Sequence, residues 1–204
     1  MVITTGALNN RVPHASRHHV VDPSTHSRVK SHDKGYTMSN KQNDQTQPAS
    51  GKVQVGDQAP DFTLLNQSGA KVCLGDYLGK KHIVLYFYPK DKTSLCTEEA
   101  CAFRDSYEVF KDAGAEVIGV SSDTVESHQQ FAKEHQLPFI LLSDLDGVIR
   151  KRYGVPTAFG LPGRVTYIID RQGIVRRIFF SQFTSKRHID EALEMLQLIH
   201  EEHV

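Results

Sequence analysis

A chain of 204 residues with 39% hydrophobic content holds enough apolar material for one core of ordinary size and a further stretch that takes no part in it. Its 24 Lys and Arg balance 24 Asp and Glu, so no net charge directs it to nucleic acid or to an anionic membrane surface. No run approaches the roughly 18 apolar residues of a membrane span, which excludes that class as well.

Residues 1–50 differ in composition from the rest of the chain. They hold His14, His18, His19, His26 and His32, many Ser, Thr, Asn and Gln, and almost no large apolar residue after Leu8. Such a segment buries too little surface to offset the entropy of ordering it, so it is expected to be a disordered polar extension ahead of a folded domain over 51–204. Its five Lys or Arg up to Thr37, against Asp22 and Asp33, resemble a transit peptide mildly, although no amphipathic stripe accompanies them. An over-extended start upstream of Met38 and an incidental tail are the competing readings. The histidines lack a metal-ligating spacing, and no apolar core of a secretory signal follows the basic positions.

From residue 53 the elements alternate. Short strands near 62–65 and 71–74 form a hairpin, and Cys73 in the second packs there as a small hydrophobe, with a second resolving thiol or a glutathionylation site as the alternative. Ile83 to Tyr88 is a β-branched and aromatic run ending at Pro89, as a buried strand does. Ala100, Phe103, Tyr107 and Phe110 recur at steps of three and four and predict one helix from Ser94 to about Gly114. Glu116–Ser121 is the next strand, and Asp123-Thr124-Val125-Glu126 reads as a capping box for a helix reaching His135. Phe139–Leu142 is a short strand. Asp144-Leu145-Asp146-Gly147 lacks the remaining ligands of a calcium loop and reads as a turn before a short helix. Strands over 165–169 and 174–180 are joined by a hairpin turn at Asp170–Gly173, and a helix fills 185–202. The order predicts an α/β chain of the thioredoxin-like fold: a mixed central sheet flanked by helices, with an N-terminal β-hairpin added.

Two of the three cysteines, Cys96 and Cys101, fall where the first long strand gives way to the first long helix. Thr93 or Ser94 can cap that helix, which leaves Cys96 in its first turn, where the partial positive charge of the macrodipole favours a thiolate. Helical phase puts Cys96 on the apolar side and Cys101 beside Arg104, Asp105 and Glu108 on the polar side. Two helical Cα atoms five residues apart lie about 8.7 Å from each other, beyond the roughly 7 Å limit for a disulfide, so a bond between these thiols needs the helix to open. Spacing alone leaves two inert thiols as a reading equal to a redox pair, and C-x4-C with no second pair is not a zinc spacing.

The segment Tyr88-Pro89-Lys90-Asp91-Lys92-Thr93, followed by Cys96-Thr97-Glu98-Glu99-Ala100-Cys101-Ala102-Phe103-Arg104-Asp105, resembles the P-x3-T-x2-C signature of peroxiredoxins in its bacterioferritin-comigratory-protein, or peroxiredoxin Q, form. The resemblance runs from about Val55 to the C-terminal helix. It implies that Cys96 is the peroxidatic cysteine, that the Thr93 hydroxyl bonds the peroxide, and that Pro89 shields the sulfur in the substrate pocket. It implies that Arg164, in Gly163-Arg164-Val165-Thr166, orients thiolate and substrate, and that Cys101 is the resolving cysteine. Glu99 is near enough in sequence to help order Arg164 but stays outside that catalytic set.

The family's chemistry would then be thiol-dependent reduction of hydrogen peroxide and organic hydroperoxides, with recycling by thioredoxin or a similar dithiol, no cofactor, no metal, and a monomeric chain. A non-enzymatic alternative is a redox-responsive binding or chaperone module that uses the same disulfide to unwind the helix. A thioredoxin-type reductase is disfavoured because no C-x2-C follows the first core strand. Three cysteines, two of them in a reactive pair, suit a reducing compartment, for which the cytoplasm is the default and an organelle the alternative if residues 1–37 direct transit.

Overall fold

The computed structural model of the chain describes residues 52–158 and 161–202, so the expected polar extension over 1–50 lies outside the described residues. β1 (Thr63–Asn66) and β2 (Lys71–Cys73) form the expected antiparallel hairpin, closed by the Asn66 side-chain carbonyl accepting from the Ser68 and Ala70 N–H groups. The apolar run becomes β3 (His82–Phe87), buried at every position. Alternation along it sends Val84 and Tyr86 to one face of the sheet and Ile83, Leu85 and Phe87 to the other.

After β3 come α1 (Ser94–Asp105), α2 (Tyr107–Asp112), β4 (Ala115–Ser121), α3 (Val125–His135), β5 (Ile140–Ser143) and α4 (Val148–Arg152). Two-residue strands β6 (Thr157–Ala158) and β7 (Leu161–Pro162) pair with each other. The chain then continues through β8 (Val165–Ile169), β9 (Val175–Phe180) and α5 (Ser185–Glu201). The main sheet has seven strands in the order β2-β1-β5-β4-β3-β8-β9. β3, β4 and β5 run parallel, and β1 and β8 lie antiparallel to their neighbours. The hairpin therefore extends the sheet beyond β5, and the fold is the mixed, thioredoxin-like one expected.

Two cores result, one on each face. Residues of α1, α2, α3 and α5 pack with Val84, Tyr86 and Tyr88 on the first face. On the second, α4 and the segment around Val53, Ala59 and Phe62 cover Ile83, Leu85 and Phe87. Close packing shows at Gly119, paired with Tyr86 across β3 and β4, where a Cβ would stand 2.7 Å from the tyrosine ring.

Three local expectations need correction. The helix predicted over 94 to 114 is two helices, because Ser106 leaves helical geometry at φ −101° and ψ 3° and divides α1 from α2. The phase of the apolar stripe survives this break, with Ala100, Phe103 and Phe110 all buried, which is why periodicity alone read through it. Second, the cap of α3 is Thr124, whose Oγ1 accepts from the Ser127 N–H at 3.2 Å, and Asp123 is engaged elsewhere. Third, the 3-10 turn at Leu74–Asp76 and the β6–β7 pair went unforeseen, being too short for any periodicity to register. The Asp144 turn behaves as expected: its carboxylate accepts from the Ile149 and Arg150 N–H groups at the start of α4.

Candidate active site

The topology fixes which residues can meet. β3 ends at Phe87, and a short loop delivers the chain to the first turn of α1. β8 runs antiparallel to β3 with Val165 opposite Phe87, so the residue before it, Arg164, arrives at the same edge of the sheet. An arginine 68 positions from Cys96 thereby comes to lie with Nη2 3.4 Å from the Cys96 sulfur. Both side chains are sealed from water, each 2% exposed.

Glu99 completes the group. It follows Cys96 by three residues in α1, so the two share a helix face, and its Oε2 accepts from Arg164 Nη1. Glu99 is fully buried, and burial pushes its carboxyl up to about 7 against the pull of Arg164. Burial works against the charge of Arg164 too, but Glu99 and the Cys96 sulfur outweigh it and raise the guanidinium above its ordinary value. The cation is thus held in place from one side by a carboxylate and presents its free edge to sulfur.

Behind this pair stand two residues that sequence reasoning missed. Thr166, in β8, lies two residues after Arg164 and so on the same side of the extended chain. Its hydroxyl lies 2.8 Å from His188 Nδ1 on α5, and His188 Nε2 lies 3.0 Å from the Ser181 carbonyl. A carbonyl only accepts, so Nε2 carries the hydrogen and Nδ1 accepts from Thr166. Burial pushes His188 down to about 4, in keeping with a neutral ring. Glu99 Oε1, which accepts no hydrogen bond among the described residues, lies 3.8 Å from that Nδ1. The strand alternation offered a signal for Thr166; nothing local marked His188.

Thr93 and Pro89 sit on the loop leading into α1. Thr93 is the N-cap residue, yet its hydroxyl donates to the Lys90 carbonyl at 3.2 Å and makes no cap bond, so the capping expected of it is not made. Pro89 is half-buried. No hydrogen bond among the described residues joins either one to Cys96 or Arg164. The N-terminus of α1 lies one turn ahead of the sulfur, as the sequence required.

Cys101 is partly exposed in the same unbroken helix, on the side away from Cys96, and all three thiols are free. The helical spacing of about 8.7 Å between the two Cα atoms therefore holds in this state. Cys73 lies within 3.2 Å of the Thr63 hydroxyl on the edge strand β2. Four strand spacings, about 19 Å, separate β2 from β3, so Cys73 is beyond reach of Cys96 unless the sheet rearranges.

The Cys96 sulfur thus lies between the start of a helix and a guanidinium, where positive charge converges on it out of reach of water. The family model of the AhpC/TSA family matches residues 55–178. A chloroplastic peroxiredoxin Q of Sedum lineare is 53% identical over 148 residues, covering 72% of this chain and 79% of its own. That of Arabidopsis thaliana is 55% identical over 148 residues, covering 72% of this chain and 68% of its own. Among solved structures, peroxidoxin BcpB of Mycobacterium tuberculosis superposes with a TM-score of 0.67 at 36% identity, over 71% of this chain and 97% of that one. The bacterioferritin comigratory protein of Xanthomonas campestris, solved in a study of alkyl peroxide reduction, gives 0.65 at 28% identity, over 72% of this chain and 97% of that one.

Proposed function

The chain belongs to the AhpC/TSA family, among the peroxiredoxin Q proteins, and is a thiol peroxidase; from that premise we propose that Cys96 is its peroxidatic cysteine and Cys101 its resolving one. The observation that carries the assignment is the Arg164 guanidinium 3.4 Å from a buried sulfur in the first turn of α1.

In the first step the Cys96 thiolate attacks one oxygen of the hydroperoxide. An S–O bond forms, the O–O bond breaks, and the departing alkoxide or hydroxide leaves as alcohol or water once protonated. Arg164 faces the sulfur and the charge that develops on the polarised oxygens. Because the Thr93 hydrogen is spent on the Lys90 carbonyl, its oxygen is left to accept from the peroxide O–H. Pro89 keeps water from that side.

In the second step the Cys101 thiolate attacks the Cys96 sulfenic acid, the S–S bond forms as the S–O bond breaks, and the departing hydroxide takes a proton from solvent and leaves as water; for this α1 must unwind from its first turns. A thioredoxin-type dithiol then reduces that disulfide. The relatives are peroxiredoxins by name, which favours turnover over a binding or chaperone module.

Residues 51–204 form the catalytic domain on this reading, with residues 1–50 outside it, and the family match beginning at residue 55 supports that division. The plant relatives are chloroplastic by name, which supports a targeting role for residues 1–37 over a cytoplasmic address. The domain is read as a monomer, a point that sedimentation of the reduced protein checks.

Intact mass and peptide mapping after one equivalent of peroxide test the cysteine roles. A Cys96–Cys101 link is expected, while a Cys73 link overturns the resolving assignment. Cys96→Ser should abolish turnover, whereas Cys101→Ser should allow one sulfenic acid per chain and stop thioredoxin-driven cycling. Retained peroxidase activity in Cys96→Ser would sink the reading.

A further inference from the structure

The loop between β3 and α1 is polar and mostly exposed, yet it carries one charged side chain into the interior. Asp91 is 4% exposed between exposed Lys90 and Lys92. Its Oδ1 accepts from the Tyr88 hydroxyl at 2.7 Å, and its Oδ2 accepts from the Ser127 hydroxyl at 2.8 Å and lies 2.9 Å from His128 Nδ1. The Asp91 N–H donates to Asp123 Oδ2 at 2.9 Å, and the same oxygen accepts from the Ser121 hydroxyl at 2.6 Å. This occupation of Asp123 is why it does not cap α3.

His128 is fully buried in the first turn of α3, and its Nε2 lies 3.1 Å from the Leu142 carbonyl on β5. A carboxylate faces one ring nitrogen and a carbonyl the other, and neither can donate. The ring is thereby held at both ends, at Nδ1 by the Asp91 carboxylate and at Nε2 by the Leu142 carbonyl. Burial pushes the Asp91 carboxyl up, but the bonds from His128, Tyr88 and Ser127 more than offset it and hold the group below its usual value. One loop residue is thereby tied to Tyr88 just past β3, to Asp123 in the β4–α3 connection, to α3 and, through His128, to β5.

A buried carboxylate–histidine pair is a weak device for stability alone, because replacing it with apolar groups is often neutral. Its position suggests another use. Asp91 precedes the N-cap Thr93 by two residues and Cys96 by five. Between them Lys92 holds φ at 62°, a left-handed conformation that a non-glycine residue adopts only when its surroundings impose it. The start of α1, by contrast, exposes Thr93, Ser94 and Leu95 to water.

We propose that the Asp91–His128 pair is the anchor of the peroxide site, holding Pro89 and Thr93 in register before the reaction and marking where the unwinding of α1 stops. Asp91 and His128 are positioning residues, since neither touches the reacting sulfur. Any pull transmitted backwards as Cys96 moves toward Cys101 meets a residue fastened to α3, through it to β5, and to the β4–α3 connection. The loop keeps its shape, and the helix can rewind onto it after reduction. The first half of this proposal stands apart from the resolving role of Cys101, whereas the second half rests on it.

Two measurements test the two halves. In a Cys101→Ser background, where only the first step occurs, stopped-flow reaction with hydrogen peroxide should slow about tenfold in Asp91→Asn and His128→Gln, as expected for a misplaced site. His128→Asn keeps a donor near the Nδ1 position and should react within about threefold of the parent, an allowance for its lost bond to Leu142. Ser127→Ala removes one bond to Asp91 with little change in packing, and should slow the step about two- to threefold even if the buried variants fail to fold. Parent rates in Asp91→Asn, His128→Gln and Ser127→Ala overturn the anchor. So does an equal loss in His128→Asn and His128→Gln that follows only their thermal stability.

For the second half, hydrogen exchange is followed in the peroxide-treated chain with all cysteines present. The Asp91 amide, bonded to Asp123 in the reduced fold, should stay protected while 94–101 exchange freely. Intact mass first reports whether the Cys96–Cys101 link has formed, and its absence strikes the resolving assignment. A link accompanied by exchange of the Asp91 amide as fast as that of 94–101 strikes the anchor.

Discussion

Arg164 meets two partners with one planar group, Nη1 toward Glu99 and Nη2 toward the Cys96 sulfur. A lysine has the charge but not the fork, so it cannot serve both at once. Arg164→Lys should slow the reaction with peroxide about 100-fold, the usual loss for a donor aimed at developing charge, as read by stopped flow at fixed pH. Arg164→Met should also destabilise the fold, by roughly 1–2 kcal/mol more at pH 8 than at pH 5, because without the guanidinium burial alone acts on Glu99 and raises its carboxyl further, so that folding at pH 8 must take up a proton that the parent's Glu99 already carries at pH 5. Urea unfolding at the two pH values checks this. A known motif and one strand offered Cys96, Cys101, Thr93, Pro89 and Arg164 as candidates in the sequence, and of these the structure brings Arg164 to the Cys96 sulfur. Glu99 was legible only as a neighbour, and Thr166, His188, Asp91 and His128 were not identified. Their partners lie 22 to 37 residues away, and no local period registers a pairing that only the sheet order creates.

The helices show where periodicity succeeds and where it fails. The stripe in α1 placed Cys96 inward and Cys101 outward, and the structure agrees, because a buried face must repeat with the helix. It missed the break at Ser106 since three-and-four spacing runs through a residue that leaves helical geometry without shifting the phase. The cap of α3 failed for another reason: Asp123 looks like a capping residue, but the Asp91 N–H and the Ser121 hydroxyl had first use of it. Thr124→Ala should accordingly lower stability by about 1 kcal/mol in urea unfolding. An unchanged stability there, with a loss in Glu126→Ala, would restore the Asp123–Glu126 box.

For the molecule as a whole, two buried groups pull its acid stability in opposite directions. Glu99 binds its proton more tightly in the fold, at about 7 against 4.5, so its contribution is present below 4.5 and is lost as the pH rises through 7. His188 binds its proton less tightly, at about 4 against 6.5, so its contribution is present above 6.5 and is lost as the pH falls through 4. Each is worth on the order of 3 kcal/mol, with opposite slopes over a shared window. Stability should therefore change little between about pH 4.5 and 6.5, whereas His188→Gln should uncover the Glu99 slope and lose stability as the pH rises. Denaturant melts across that range decide the matter, and a flat profile in His188→Gln would contradict it. The unbroken run of α1 from Cys96 to Cys101 carries one more consequence, in time and not in space. On the proposed cysteine roles, each oxidised sulfur waits for the helix to open, and during that wait a second peroxide molecule competes for it. The strength of one helical turn thus sets a dose threshold: sparse peroxide is cleared and the thiol recovered, while a flood outruns the opening and retires the enzyme.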